Sequence, residues 1–183
     1  MKKIFFDMDG VLAEYRKNCT EEDMKKKGYF YSLEPEKNMI EALNMLLENG
    51  EELGVGVCVL TKVYPSEFKY SVREKLEWRD KYLPELFDSE FVMVNGDEEE
   101  KSDVVKALIG AGLDENYILI DDYNPNLAEW RNAGGEVIKF VNKINDSKRS
   151  FVGKRINYKM SPEELYLSIL AFAGIIVGEK AVA

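Results

Sequence analysis

Five short apolar runs constrain this chain more than any other feature: residues 3–6, 55–60, 91–94, 117–120 and 137–141. Each is nearly continuous, β-branched or aromatic, and bounded within a few residues, the pattern of a strand buried on both faces. Helical patterns lie between them. Residues 36–49 place apolar side chains at Met39, Ile40, Leu43, Leu46 and Leu47 before Gly50 ends the stripe. Residues 66–83, 102–111 and 124–133 follow suit. Ser102 is expected as an N-cap, Asn124 as a cap with Pro125 at the first helical position, and Gly134-Gly135 as a helix stop. Strands alternating with helices predict a doubly wound parallel sheet of the α/β class.

Two segments depart from the alternation. Residues 14–35 are polar and aromatic-rich and follow the first strand directly, which predicts a small cap inserted into one domain spanning 1–183. Ser161-Pro162-Glu163-Glu164 reads as a capping box opening a C-terminal helix over about 161–177, expected to lie against the domain. Gly174 and Gly178 have GxxxG spacing, read here as a soluble packing contact. The basic stretch 143–155, with Lys148, Arg149, Lys154 and Arg155, is expected as a solvated loop.

Composition removes several chemistries. There is no histidine, so Ser-His-Asp and Cys-His systems and His-ligated zinc are unavailable. Carboxylates, hydroxyls, lysines or a bound metal must do the work. The net charge of −9 argues against a nucleic-acid polymer or an anionic membrane as partner, while leaving a small anionic substrate open. Cys19 and Cys58 cannot build a disulfide framework. Asp7 breaks the first apolar run, and the charge-free stretch 165–178 falls short of the roughly 20 residues that span a bilayer. These points give the expectation of a cytoplasmic protein with neither secretory signal nor membrane span.

Ligands of doubly wound sheets bind beyond the carboxyl ends of the strands. The first strand runs into Asp7-Met8-Asp9-Gly10-Val11, whose carboxylates at i and i+2 can share one side of an extended chain, with Gly10 permitting a sharp departure. The fourth ends in Asp121-Asp122. Four converging carboxylates would repel an anionic substrate unless a cation were present, and an all-oxygen set favours Mg²⁺ over zinc. Thr61 ends the second strand and Lys101 opens a helix, and the pair can supply a hydroxyl and a point charge to a phosphate. The bland alternative makes each residue an ordinary turn or cap, with Lys101 paired to the acidic run 97–100.

In that order Asp7-Met8-Asp9-Gly10-Val11, Thr61, Lys101 and Asp121-Asp122 resemble the four motifs of the haloacid dehalogenase (HAD) superfamily, across nearly the whole chain. Among its branches the likeness is to the 5′(3′)-deoxyribonucleotidases: Gly28-Tyr29-Phe30, Leu33 and Pro35 look like that group's aromatic cap exit, and Phe68-Lys69-Tyr70, Glu74-Lys75 and Trp78 recur at its spacing. The resemblance implies phosphoryl transfer through an aspartyl-phosphate, with Asp7 as nucleophile and metal ligand and Asp9 as acid and base, its carbonyl also on Mg²⁺. It further implies Asp121 as a metal ligand with Asp122 beside it, and Thr61 and Lys101 holding the phosphoryl group. The physics agrees, because a carboxylate attacks a dianion poorly until the intervening charge is neutralised. Two positions depart from the nucleotidase pattern: Lys62 follows Thr61 in place of a small hydroxyl residue, and Tyr123 follows the Asp pair in place of arginine.

Lys62 reads as either a further phosphate contact or a solvated loop lysine. Tyr15, Tyr29, Phe30, Tyr31 and Tyr64 read as a stacking platform for a base or as packing between cap and core. Trp78, Trp130 and Cys58 read as core. The expected partner is a small phosphate ester, a nucleoside monophosphate by the resemblance. A sugar phosphate is the rival substrate, and a nucleotide-binding module without turnover the rival class. No P-loop sequence is present.

Overall fold

The computed structural model describes residues 1–145 and 151–175. Strands β1 (Lys2–Phe6), β2 (Val55–Val63), β3 (Phe91–Asn95), β4 (Tyr117–Asp121), β5 (Glu136–Val141) and β6 (Arg155–Asn157) form one sheet in the order β3-β2-β1-β4-β5-β6. Every pairing is parallel. The helices are α1 (Glu21–Met24), α2 (Lys37–Leu53), α3 (Ser71–Tyr82), α4 (Lys101–Ile109), α5 (Asn124–Asn132) and α6 (Pro162–Phe172).

Successive strand residues point to opposite faces, so the sheet divides the core in two. Ile4, Phe6, Val57, Val59, Ile118 and Ile120 join Met39, Leu46, Trp78 and Leu165, which places α2, α3 and α6 on one face. Phe5, Cys58, Leu60 and Leu119 join Val105, Leu127 and Trp130, which places α4 and α5 on the other. Each large side chain buried in this way contributes about 1.5–3 kcal/mol relative to leaving it in water. Burial pushes the Cys58 thiol up to about 12, against a weaker pull from Lys3, so it stays protonated in the core as expected.

Several expectations need correction. The sheet has a sixth strand, β6, which begins at Arg155, the last residue of the stretch read as a solvated loop. Its central Ile156 is buried, but one apolar residue between Arg155 and Asn157 gives no periodic signal. Lys154 is half-engaged as well, reaching Glu136 at 2.7 Å and the Phe172 carbonyl at 2.9 Å. Lys148 and Arg149 of that stretch lie outside the described residues. Ser102 does not cap α4. The N-cap is Glu100, so the first helical residue is Lys101 and both Lys101 and Ser102 are buried. Helix α3 begins at Ser71 rather than 66, and α5 takes Tyr123 as its N-cap with Asn124 inside the helix. The capping box at Ser161 forms, but α6 ends at Phe172, where Gly174 turns the chain at φ 72°. Gly178 lies outside the described residues.

Residues 14–35 leave the sheet after β1 and return into α2. Their stem is closed by Glu14 N–H donating to the Glu34 carbonyl at 2.8 Å and by an Ala13–Pro35 bridge. Helix α1 within the segment has a capping box between Thr20 and Asp23. No helix among the described residues is long and apolar enough to cross a membrane.

Candidate active site

The pleat explains how the site residues meet. On β1 and β4 the odd-numbered Phe5 and Leu119 face α4, so Asp7 and Asp121 lean toward that side as the strands end. Register puts them side by side, since Phe6 pairs with Ile120 and Asp7 N–H donates to the Ile120 carbonyl at 2.9 Å. On β2 the odd-numbered Val57 and Val59 face the opposite side, which carries α2 and α3, and Thr61 continues that row. Thr61 lies within β2 rather than at its end.

Lys101 enters from the first turn of α4, a poor place for a cation because the positive end of the helix dipole is there. Two carboxylates outweigh that cost. Nζ donates to Asp7 Oδ1 and to Asp121 Oδ2, both at 2.7 Å, with Lys101 1% exposed. Burial alone would lower the lysine pKa, yet Asp121 and Asp7 hold it above its ordinary value. The acidic run before Lys101 takes no part in this. Glu100 instead pairs with Lys62 at 2.6 Å, so Lys62 is a strand residue with a partner and not a solvated loop lysine.

Asp121 is fully buried and held by three donors: Oδ1 accepts from Tyr123 N–H at 2.8 Å, and Oδ2 accepts from Asn126 at 2.9 Å as well as from Lys101. Asp122 is aimed by Asn142, whose Nδ2 donates both to Asp122 Oδ2 at 2.7 Å and to the Gly10 carbonyl at 2.9 Å. Lys139 donates to the Asp122 carbonyl. The approach of Asp122 explains Gly10: the residue has φ 82°, and a Cβ there would lie 2.6 Å from Asp122 Oδ2.

Asp7, Asp121 and Asp122 each offer one oxygen, all within 4.8 Å of one another. Burial, then the Asp121 and Asp9 carboxylates, push Asp7 up to about 8 against the opposing pull of Lys101. Burial and Asp121 push Asp122 up to about 7 against Asn142, Lys139 and Lys101. One lysine therefore does not balance this group of acids. Hard oxygen donors with uncompensated negative charge fit a divalent cation of the Mg²⁺ type.

Lys75, which sequence reasoning assigned no role, closes the opposite side. It is 1% exposed, and its Nζ donates to Asp9, to Thr61 Oγ1 at 2.8 Å and to the Lys62 carbonyl at 2.7 Å. Its neighbour Glu74, also buried, accepts from Gly28 N–H at 2.5 Å and Phe30 N–H at 3.1 Å. Trp78 Nε1 donates to the Leu33 carbonyl at 2.8 Å, so α3 fastens residues 28–33 to the sheet. A signal was present in the sequence. Ser71, Glu74, Lys75 and Trp78 stand at i, i+3, i+4 and i+7, a burial stripe anchored by tryptophan and filled with polar groups.

A cleft of about 280 Å³ opens over these groups, lined by Asp7, Asp9, Asp122, Lys62, Tyr15, Tyr64, Tyr123 and Asn126. A recess of about 60 Å³ beside it is shared by Asp9, Tyr64, Phe30, Phe68 and Lys75. A wider cavity of about 590 Å³ shares Tyr15, Asp122 and Tyr123 with the cleft and extends to Arg16, Pro125 and Ile144. The aromatic residues thus separate. Tyr15 and Tyr64 face the cleft, and Phe30 reaches only the recess. Tyr29, edge-on to Phe30 at 5.0 Å, lines a more distant cavity with Arg16 and Lys26. Tyr31 lies under Lys81.

With that geometry in place, the fold matches solved HAD-like structures. D,D-heptose 1,7-bisphosphate phosphatase from Burkholderia thailandensis superposes with a TM-score of 0.61 at 12% identity, covering 93% of this chain and 99% of that one. The enzyme of the same name from B. bronchiseptica, complexed with magnesium and phosphate, gives 0.61 at 11% identity over the same shares. A HAD family hydrolase from Deinococcus radiodurans with bound phosphate and sodium gives 0.61 at 12% identity, covering 97% of this chain and 98% of that one. At such identities the likeness establishes a HAD-like α/β fold. No family model matches the chain, and no curated protein matches it.

Proposed function

We propose that this protein is a Mg²⁺-dependent phosphomonoester hydrolase of the HAD superfamily, working through an aspartyl-phosphate on Asp7. The observation that carries the reading is the Lys101 ammonium, held at 2.7 Å from both Asp7 and Asp121 at the mouth of the switch between β1 and its neighbours. A binding module would gain nothing from a buried, lysine-tethered carboxylate facing an open cleft beside a second carboxylate, Asp9. Asp7, Asp121 and Asp122, with the Asp9 carbonyl, would hold the cation. When bound, the cation neutralises the carboxylates and polarises the phosphoryl oxygens.

The rest belongs to the chain. Thr61 and Lys101 hold the phosphoryl group, with Lys62 at the rim of the cleft. An Asp7 oxygen bonds to phosphorus as the ester P–O bond breaks, and protonated Asp9 gives its proton to the departing oxygen. Asp9, now a carboxylate, takes a proton from water, whose oxygen attacks phosphorus and releases Asp7 and phosphate. Residues 14–35 act as the cap, with Tyr15 from the cap and Tyr64 from the core on the substrate side.

The substrate reading is a nucleoside or deoxynucleoside monophosphate. Tyr15 and Tyr123 wall both the catalytic cleft and the cavity of about 590 Å³ beyond it, leaving aromatic faces and room for a base past the phosphate. The motif resemblance to the 5′(3′)-deoxyribonucleotidases supports the same branch. A second reading, a sugar phosphate, is favoured by the substrates in the names of the heptose bisphosphate phosphatases that share the fold. Phosphate release from nucleoside and deoxynucleoside monophosphates, sugar phosphates and 4-nitrophenyl phosphate, with Mg²⁺ and with chelator, separates the readings. Chelator-sensitive release concentrated on nucleotides is expected. Preference for sugars would replace the branch, and no release from folded, Mg²⁺-supplied protein would remove the hydrolase.

A further inference from the structure

A lysine buried to 1% exposure needs an acceptor for every N–H it carries, and Lys75 has them. An ammonium has three donors and no acceptor. Those of Lys75 go to Asp9 Oδ2, Thr61 Oγ1 and the Lys62 carbonyl, leaving none for a substrate. We infer that Lys75 is a positioning residue, which aims the free oxygen of Asp9 at the leaving-group oxygen and turns the Thr61 hydroxyl proton toward the phosphoryl group. The inference rests on the hydrolase reading above and assigns Lys75 no contact with substrate.

Two observations carry it. The first is the state of Asp9. One carboxylate oxygen is tied to Lys75, while Oδ1 is buried with no hydrogen-bond partner among the described residues. Buried polar atoms are rarely left without partners, and a leaving-group oxygen bound in the adjoining cleft would give this one a partner. Asp9 lines both the cleft that contains Asp7 and the recess that contains Lys75, so its side chain stands on the wall between them. It rises from the turn in which Val11, Leu12 and Ala13 N–H all donate to the Met8 carbonyl, and among the described residues the Lys75 ammonium alone ties its carboxylate.

The second is the hydroxyl of Thr61. It has one proton and two lone pairs, and Lys75 occupies a lone pair at 2.8 Å. Its proton cannot point at an ammonium, and Thr61 itself is 0% exposed. Lys75 thus converts a rotor that could accept or donate into a donor. Helix α3 holds Lys75 itself in place: Glu74 and Trp78, on the same stripe, are bonded to the backbone of residues 28–33, and the Phe30 ring lies 5.4 Å beneath the ammonium.

A purely structural ion pair makes a different prediction from a positioning one. Buried pairs are often replaceable by apolar residues of similar volume without loss of fold. Aiming Asp9 matters only to the extent that the leaving oxygen needs a proton. The full chain is therefore assayed with Mg²⁺ on phenyl phosphate, which leaves as a basic phenoxide, and on 4-nitrophenyl phosphate, which leaves readily as an anion. For Lys75→Met, kcat/KM is expected to fall about 10²-fold on phenyl phosphate and by less than about tenfold on the nitrophenyl ester. Equal falls on both esters, or no fall on either, would overturn the inference. If Lys75→Met is unfolded by circular dichroism, Lys75→Gln, which retains two N–H donors, is put through the same comparison with the same outcomes. Wild-type protein inactive on both esters would instead overturn the hydrolase reading, and the role of Lys75 with it.

Discussion

Two buried ammonium groups flank the end of β1, and they sit in opposite kinds of surroundings. Lys101 comes from α4 on one face of the sheet and lies between two carboxylates, Asp7 and Asp121. Lys75 comes from α3 on the other face and lies among one carboxylate, one hydroxyl and one carbonyl. The first pocket is buried and crowded with negative charge, and burial first, then the neighbouring carboxylates, push Asp7 up to about 8 and Asp122 up to about 7. The second pocket is balanced, with one cation, one anion and two neutral dipoles. The same side chain thus neutralises on one side and orients on the other, and the difference lies in what the adjacent strand ends supply.

The comparison breaks most severely at Lys101. Lys101→Met leaves Asp7 and Asp121 facing each other without a cation. A fall in kcat/KM of about 10³-fold is expected, alike on phenyl and 4-nitrophenyl phosphate, because charge at phosphorus is common to both esters. A loss of about 3 kcal/mol in denaturant-determined stability should accompany it. A leaving-group dependence like that expected for Lys75→Met would erase the distinction between the two lysines.

Gly10→Ala sharpens the comparison from the Asp122 side. Its Cβ would stand 2.6 Å from Asp122 Oδ2 on a backbone at φ 82°, so the metal carboxylate must move. The Mg²⁺ concentration for half-maximal activity is expected to rise by about tenfold or more. An unchanged Mg²⁺ requirement would remove Asp122 from the cation's surroundings.

The smallest effect concerns pH. Asp7 and Asp122 bind protons more tightly in the fold than in the unfolded chain, where they ionise near 3.8. The unfolded state therefore releases them first, and the stability of the cation-free protein falls as pH rises from about 4 toward 8. Mg²⁺ relieves that repulsion, so the gain in Tm on adding Mg²⁺ should be larger near pH 8 than near pH 6, by a few degrees. A gain independent of pH would place the cation elsewhere.

How much of this was legible in the sequence follows the same division. The five long strands and the Asp7, Asp9, Asp121 and Asp122 carboxylates could be read because a doubly buried strand is a continuous apolar run and its end is marked by the first charge. Lys101 could be placed but its partner could not. Its local neighbours Asp97 to Glu100 suggested a surface pair, whereas its true partners lie 94 and 20 residues away. Ser102 was read as a cap because serine commonly is one, yet inward rotation of Lys101 moves the helix start and buries that serine. Lys75 was named with Glu74 and Trp78 as part of a recurring spacing but given no role, because a lysine in a helix is ordinarily solvated and only its stripe with Trp78 betrays burial. Strand β6 was silent because three residues at a sheet edge carry too little periodicity.

The central claim is that Asp7 becomes phosphorylated during turnover. The direct measurement is to quench the protein during hydrolysis of 4-nitrophenyl phosphate with Mg²⁺, reduce acyl phosphates with borohydride, and map the product by peptide mass spectrometry. Reduction at Asp7, lost in Asp7→Asn and without chelator-free Mg²⁺, is the expected result. Turnover with no reducible carboxyl, or with the label on another aspartate, would contradict the account.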